Sequence, residues 1–379
     1  MKILHLSHES LPDWRIEKSA ISALNNGWDV AFAGNFPKNF GDITFSETYS
    51  VVWTAKARFG IPFYWDSVKK QLERVIKKSR PDIVHAHNLF SAKMISEFGI
   101  PFVYDDHEYW SLHARLLEEM AELDKRKGVE NFLDLPRRIR RRFINKYAVH
   151  LWTKWENEII SSRPTITVSS KIADEMKEKT TSSEKILVVP NYPLRTESRS
   201  STLHPVPHTR LSSIYAGSDG RNKEKYPHRN INGFIDLFRE HNLGDLTIIG
   251  WDGSPSKNTK YLGYLPRDSM YSEMSRHSIG LIPFKKHWSH AYLDPNKAYE
   301  YAHAGLHVMC TNSLTTIEDT LKENCSTFEN YEMLASQLEY FKANPEVLYN
   351  KRLKIIEFAK SNLIWENNEK EIFRAYQLS

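Results

Sequence analysis

The sequence predicts an α/β protein made of two tandem domains, each built on an open parallel sheet. Three observations carry this. Short apolar strands alternate with amphipathic helices from the first residue onward. The alternation is interrupted once, by a polar stretch near the middle. A chain of 379 residues with 40% hydrophobic and 12% aromatic content is also longer than one hydrophobic core fills.

Residues 1–7 read as a buried strand through Ile3, Leu4 and Leu6, and 16–26 as a helix with Ile16, Ala20, Ile21 and Leu24 on one face. Gly27 ends that helix, and 29–34 (DVAFAG) is the next strand. The pattern then repeats as helix 66–78, the breaker Arg80-Pro81, strand 82–85, helix 91–98 and strand 100–104. Further strands are expected at 165–168 and 186–189. Residues 194–210 (LRTESRSSTLHPVPHTR) lack apolar periodicity and are rich in Ser, Pro and His, which is a linker composition. The alternation restarts with strand 211–216, helix 232–239, strand 246–249, helix 267–276 and strand 279–283. Pro295 suits a helix start and Gly305 a helix end, so 296–304 is a helix followed by strand 306–310. The expected division is an N-terminal domain over 1–193, a linker over 194–210 and a C-terminal domain over 211–362. Tandem parallel sheets direct their strand ends, where ligands bind, toward a shared cleft.

Composition narrows the function classes. No run approaches the ~18 apolar residues of a membrane span, and the N-terminus turns polar too soon for a signal peptide, so a cytoplasmic location is expected. Cys310 and Cys325 are too few for a disulfide framework and lack metal-ligand spacing. The formal charge of +5 is small for 52 basic and 47 acidic residues, but its distribution is uneven. Between Leu135 and Trp155 stand Arg137, Arg138, Arg140, Arg141, Arg142, Lys146 and Lys154 with no acid, interleaved with Phe143, Tyr147, Trp152 and Trp155.

Two polar clusters follow predicted strands in the N-terminal half, His85-Ala-His87-Asn88 and Asp105-Asp106-His107-Glu108. The carboxyl ends of parallel strands are where acceptor or catalytic groups sit, which singles out His87, Asp106 and His107. His-x-His with nearby Asp and His also offers metal ligands, and strand-end histidines often only bond backbone. In the C-terminal half, free N–H groups at the start of helix 296–304, around Asn296, form an anion site to which Lys297 adds charge. Glu300, one turn on, is placed to accept from ribose hydroxyls; a solvated Lys297–Glu300 pair is the plain alternative. The loop Gly217-Ser-Asp-Gly220-Arg221, continuing to His228-Arg229, offers backbone and guanidinium donors to phosphate. It fits neither the Walker pattern nor GxGxxG, which removes the usual support for kinases and dehydrogenases.

Taken in order, Pro81 to His87, Asp105 to Glu108, the strand ending at Asn191, Tyr215-Ala-Gly217, Leu262-Gly-Tyr-Leu-Pro266, Gly280 to Pro283 and Pro295 to Gly305 resemble the GT-B glycosyltransferases, specifically the retaining family 4. The resemblance spans nearly the whole chain. It implies two Rossmann-like domains whose parallel sheets face a central cleft, with residues 363–379 resembling the terminal helix that packs back on the N-terminal domain. It further implies transfer of a hexose-type sugar from a UDP- or GDP-linked donor to a lipid-linked or glycan acceptor, with retention, no metal and no other cofactor. Glu300 would take the ribose; Arg229, Lys297 and Arg221 the diphosphate; Gly217, Tyr264 and Asn296 further donor contacts; and His107 the reacting carbon.

Two departures stand out. Tyr292 occupies the place, eight residues before Glu300, where many members carry a glutamate that contacts the donor sugar. Asp13-Trp14-Arg15 replaces the glycine pair after the first strand, so Arg15 would substitute for backbone contacts to phosphate or acceptor.

Three rivals remain. One is a metal-dependent hydrolase built on His85, His87, Asp106 and His107, another is nucleic-acid binding through 137–154, and a closer one is a nucleotide-sugar epimerase of the same overall fold. The glycosyltransferase reading expects no nucleic acid and instead pairs 137–155 with an anionic membrane surface, where aromatics insert and arginines meet headgroups. The alternative is that the aromatics belong to the core and the arginines form a solvated face.

Overall fold

The computed structural model describes residues 1–37, 44–126, 135–197, 211–221 and 227–379. The chain divides into two compact units, Met1–Pro190 with Asn368–Ser379, and Asn191–Asn367.

In the first unit the strands are β1 (Lys2–Ser10), β2 (Asp29–Asn35), β3 (Glu47–Ser50), β4 (Ile83–His87), β5 (Phe102–Asp106), β6 (Thr165–Thr167) and β7 (Ile186–Val188). They form one parallel sheet in the order β3-β2-β1-β4-β5-β6-β7. The order reverses between β1 and β4, the switch point at which open α/β sheets leave a crevice. Central strands buried on both faces read as continuous apolar runs, as Ile3-Leu4, Ile83-Val84 and Phe102-Val103 do. The helices that flank this sheet are α1 (Trp14–Asn25), α2 (Pro62–Ser79), α3 (Asn88–Ile95), α4 (Trp110–Arg126), α5 (Leu135–Ile160) and α6 (Ser170–Glu178). Asp13 caps α1 by accepting from the amides of Arg15 and Ile16. Glu156 of α5 caps α4, accepting from the amide of Trp110 at 2.9 Å and of Ser111 at 3.0 Å.

The second unit holds β8 (Ser212–Ala216), β9 (Asp245–Ile249), β10 (Thr259–Tyr261), β11 (Ile279–Ile282), β12 (His307–Thr311) and β13 (Cys325–Phe328). They form a parallel sheet ordered β10-β9-β8-β11-β12-β13, with its own switch point between β8 and β11. Its helices are α7 (Phe234–Glu240), α8 (Arg267–Met274), α9 (Asn296–His303), α10 (Thr315–Leu321), α11 (Tyr331–Ala343) and α12 (Pro345–Asn362). A last helix, α13 (Glu369–Gln377), belongs to the first unit and lies against α1, β5, β6 and β7.

Strands β3, β10 and β13 were not legible in the sequence. Two of them lie at sheet edges and the third, β13, also ends its sheet; all are three or four residues of mixed polarity (ETYS, TKY, CSTF), so no apolar run marks them. The divisions between units fall after Pro190 and Asn367 rather than after 193 and 362. The reason is bonding: Trp365 donates its amide to Pro193 and Arg195 donates its amide to Glu366, while Arg267 holds Glu197 and His303 Nε2 meets the Leu363 carbonyl, so both segments are tied to the second unit. Residues 198–210 of the expected linker lie outside the described residues.

Candidate functional site

At the β1/β4 switch point of the first unit, register gathers the histidines. His5 pairs with His85, and Ser7 with His87, across β1 and β4, while His87 pairs with Asp105 across β4 and β5. Directly paired residues share a sheet face, and so do residues two apart, which puts His5, His85, His87 and Asp105 together. Asp105 is the hub. Its Oδ1 accepts from Arg15 Nη2 at 2.7 Å and from Arg15 Nε at 3.1 Å, and its Oδ2 accepts from His85 Nε2 at 3.2 Å. Burial works against the Asp105 charge, yet the Arg15 guanidinium and His107 hold its pKa well below the usual carboxylate value. A carboxylate only accepts, so His85 carries its proton on Nε2, and its Nδ1 accepts from the Tyr376 hydroxyl of α13 at 2.7 Å.

A second chain of bonds runs His5 Nδ1 to His87 Nε2 at 3.0 Å, and His87 Nδ1 to His107 Nε2 at 3.1 Å. Burial lowers the pKa of His5, His85 and His87, so these three rings are neutral. His107 goes the other way. Burial opposes its charge, but Asp105, with help from Asp13, outweighs burial and raises its pKa. His107, 9% exposed on its side chain, is thus the one ring of the stack whose charged form its surroundings favour. Asn88 braces this edge from a left-handed backbone (φ 65°): its Nδ2 donates to Glu9 at 3.0 Å and its Oδ1 accepts from the His107 amide at 3.2 Å.

The same atoms offer a candidate ligand set for a metal ion. His87 Nδ1, His107 Nε2 and Asp105 Oδ2 stand 3.1–3.5 Å apart, close to the edge of a tetrahedral ligand set. The Asp105 oxygens already accept from Arg15 and His85, whereas His5 Nε2, on the same histidine stack, is buried with no hydrogen-bond partner among the described residues.

In the second unit the β8/β11 switch point gathers a different set. Gly217 follows β8, and a Cβ there would stand 2.3 Å from Lys297 Nζ, so a larger residue would displace the lysine head from this place. Gly220 is held similarly close to the Arg229 carbonyl, where a Cβ would sit at 2.0 Å. Lys297, in the first turn of α9, points its ammonium at the rings of Tyr215 (4.5 Å to the centroid) and Phe284 (5.2 Å). It has no hydrogen-bond or ion-pair partner among the described residues. Burial, reinforced by Arg229, lowers its pKa to about 7, with Glu300 pulling the other way. Glu300 is itself engaged: its Oε1 lies 2.9 Å from Arg267 Nη1.

Residues 25–192 match the model of Glycosyltransferase Family 4. Among solved structures, sucrose-phosphate synthase from Thermosynechococcus elongatus aligns over 100% of this chain and 98% of its own with a TM-score of 0.72 and 12% identity. HepE from Anabaena, in complex with UDP-glucose, aligns over 100% and 99% with a TM-score of 0.66 and 11% identity. WaaG, a glycosyltransferase involved in lipopolysaccharide biosynthesis, aligns over 100% and 99% with a TM-score of 0.64 and 14% identity. At such identities the structural likeness shows the fold, and the family match covers residues 25–192. This chain has the GT-B fold. Curated protein sequences give no significant match.

The sequence-predicted residues divide into those brought together and those not. Gly217, Arg229, Lys297 and Glu300 converge at the β8/β11 switch point, with the exposed Asn296 at the helix start beside them. Arg221 does not join them; its guanidinium forks onto Asp219, with Nη2 at 2.6 Å and Nε at 2.8 Å. Tyr264 projects away from the protein with 83% of its surface exposed. Arg15 turns inward to Asp105 and to the carbonyl of Val189 at 2.9 Å.

In the first unit His87 and His107 share the cluster, whereas Asp106 does not. Successive residues of a strand face opposite sides, so Asp106 points away and accepts from the Tyr104 hydroxyl at 2.8 Å and the Tyr109 amide at 3.1 Å. Burial and the neighbouring Glu156 raise the Asp106 pKa well above the usual value, and the Tyr104 hydroxyl lies within reach of both acids. The structure therefore substitutes Asp105 for Asp106 at the strand-end site. His5, Tyr376 and Arg267 were missed, and Asn88 was marked only as part of the cluster after the strand. Of the three missed, only His5 carried a sequence signal, a histidine on the first buried strand; the others owe their place to tertiary contacts.

Proposed function

We propose that the chain transfers a hexose-type sugar, with retention and without a metal, from a UDP- or GDP-linked donor bound by the second unit to a lipid-linked or glycan acceptor served by the strand-end site of the first. The observation that carries the donor assignment is the Lys297 ammonium. A desolvated cation without a carboxylate partner, beside Arg229 and a glycine-opened loop, is matched by a diphosphate, which supplies the missing anion. HepE, whose structure holds UDP-glucose, supports a UDP-linked hexose. Metal independence is supported by the Asp105 oxygens already accepting from Arg15 and His85. His107, as an imidazolium, supplies charge stabilisation at the acceptor side, so the protein's contribution is positioning and electrostatics.

A lipid-linked acceptor is supported by the first half of α5. Its second half turns Trp152, Trp155, Glu156 and Ile159 into the core, yet Ile139, Phe143 and Tyr147 are 45%, 71% and 51% exposed on one helical stripe. Exposed Arg140, Arg142 and Lys146 surround that stripe. An apolar row bordered by cations is the composition that inserts at an anionic lipid surface. The side chains of Arg137, Arg138 and Arg141 lie outside the described residues. No described helix is long and apolar enough to cross a membrane. The involvement of WaaG in lipopolysaccharide biosynthesis supports the same acceptor class. A thermal-shift panel of UDP-, GDP- and dTDP-sugars tests the donor reading, because a ligand specific to the native state raises its stability; a panel with no response from any of them would overturn it.

A further inference from the structure

The ion-pair chain behind Glu300 is not needed to bind a diphosphate, and it is built with more order than a surface pair. Arg267 occupies the first position of α8, directly after Pro266. Its Nη1 meets Glu300 Oε1 at 2.9 Å, and its Nε bonds Glu197 Oε1. Glu197 is fixed in turn. Its Oε2 accepts from the Leu194 amide at 2.7 Å, and its own amide donates to the Leu194 carbonyl at 2.9 Å. The guanidinium also lies over the Tyr271 ring, 5.5 Å from its centroid. Exposure of the three side chains is 30% for Arg267, 9% for Glu197 and 10% for Glu300, so the two carboxylates are largely dehydrated and would repel without the arginine between them.

We propose that Arg267, locked by Glu197, is the positioning residue for donor-ribose recognition: it holds Glu300 by one oxygen and presents the carboxylate to the ribose diol. This rests on the donor reading given above. A flexible glutamate loses rotamer freedom when it binds, whereas one already clamped has lost it beforehand. A guanidinium fork fixes direction as well as charge, which an ammonium does not. Glu300 stands one helical turn beyond Lys297 on α9, so the clamp also sets the spacing between the ribose-binding and diphosphate-binding groups.

The test separates ribose recognition from general damage by comparing ribonucleotides with their 2′-deoxy counterparts. Calorimetric titration of the full-length protein would use UDP, dUDP, GDP and dGDP. The wild type is expected to favour the ribo form of its preferred base by about tenfold or more, on the scale of hydrogen bonds to a charged group. In Arg267→Met that preference should shrink to within about twofold, with deoxy affinity nearly unchanged. Arg267→Lys should restore part of it, and Glu197→Gln should weaken it in the same direction. Equal losses for ribo and deoxy forms, or an intact preference in Arg267→Met, would overturn the positioning role. If Arg267→Met does not fold, as judged by its thermal melt, the Lys and Glu197→Gln variants decide the matter by the same ratio. A wild type without ribo preference, or a Glu300→Gln variant that keeps it, would instead remove Glu300 from the ribose and this inference with it.

Discussion

Replacing Lys297 with methionine keeps the apolar stem and removes the ammonium, and it should stabilise the free protein while abolishing its response to donor. The free-protein pKa is lowered from 10.5 to about 7. A lysine whose folded-state value lies below its unfolded value makes the native state less stable as pH falls from above 10 toward 7, and the penalty is constant below that. A shift of 3.5 units corresponds to an upper bound of about 5 kcal/mol at 1.36 kcal/mol per unit. Part of the side chain touches solvent, so the realised penalty is reduced to roughly 2–4 kcal/mol. For a unit of this size that amounts to a rise of roughly 4 °C or more in the unfolding midpoint.

Donor binding places a diphosphate beside the ammonium and restores its pKa, so complex formation above pH 7 takes up a proton. Affinity should then decline with pH above about 7, by up to about tenfold per unit. Titration calorimetry of UDP-glucose in two buffers of different ionisation heat would read this uptake directly, and scanning calorimetry would read the stability. A Lys297→Met variant that melts at or below the wild-type temperature and still binds UDP-glucose with wild-type affinity would refute both the buried-charge argument and the donor site.

Other outcomes follow from the same structure. His107→Ala should leave donor affinity near wild type and lower transfer at least ~100-fold, and the wild-type rate should fall as pH rises through a value above the ordinary histidine pKa; a flat pH profile would show the imidazolium to be incidental. Transfer should persist in EDTA, and loss followed by restoration with added zinc would favour metal ligation by His87, Asp105 and His107. Asp105→Asn leaves the buried Arg15 without its carboxylate and should lower stability by about 3–5 kcal/mol at pH 7, while Asp106→Asn, replacing an acid whose pKa burial and Glu156 raise, should lower it by no more than about 1 kcal/mol. Urea unfolding compares the two; equal losses would contradict the strand-parity assignment. Neutralising Arg140, Arg142 and Lys146 together should reduce cosedimentation with anionic vesicles, each residue contributing ~1 kcal/mol, and Phe143→Ser should weaken it further; a wild type that treats anionic and neutral vesicles alike at two salt concentrations would rule the lipid surface out.

Periodicity alone determined the class. Parallel strands covered on both faces must be apolar along their length, and amphipathic helices must repeat at 3.6 residues, so β1, β2, β4, β5, β8, β9, β11 and β12 were legible to within a few residues. Local chemistry also marked α9, where proline opens the helix and glycine ends it, and so exposed Lys297 and Glu300 as a pair one turn apart. What the sequence did not determine is which neighbour each polar side chain meets. Asp105 and Asp106 are indistinguishable as a dipeptide, and only the register of β4 against β5 turns one to the histidines and the other to Glu156. Phe143 and Trp152 look alike in one basic aromatic segment, and only the packing of the second half of α5 buries Trp152 while leaving Phe143 exposed. The clamp on Glu300 joins residues 197, 267 and 300, and the His85 contact joins residues 85 and 376. Such contacts depend on strand order and chain return, which one-dimensional periodicity does not encode, and these tertiary contacts set the direction and charge of the groups proposed to carry the chemistry.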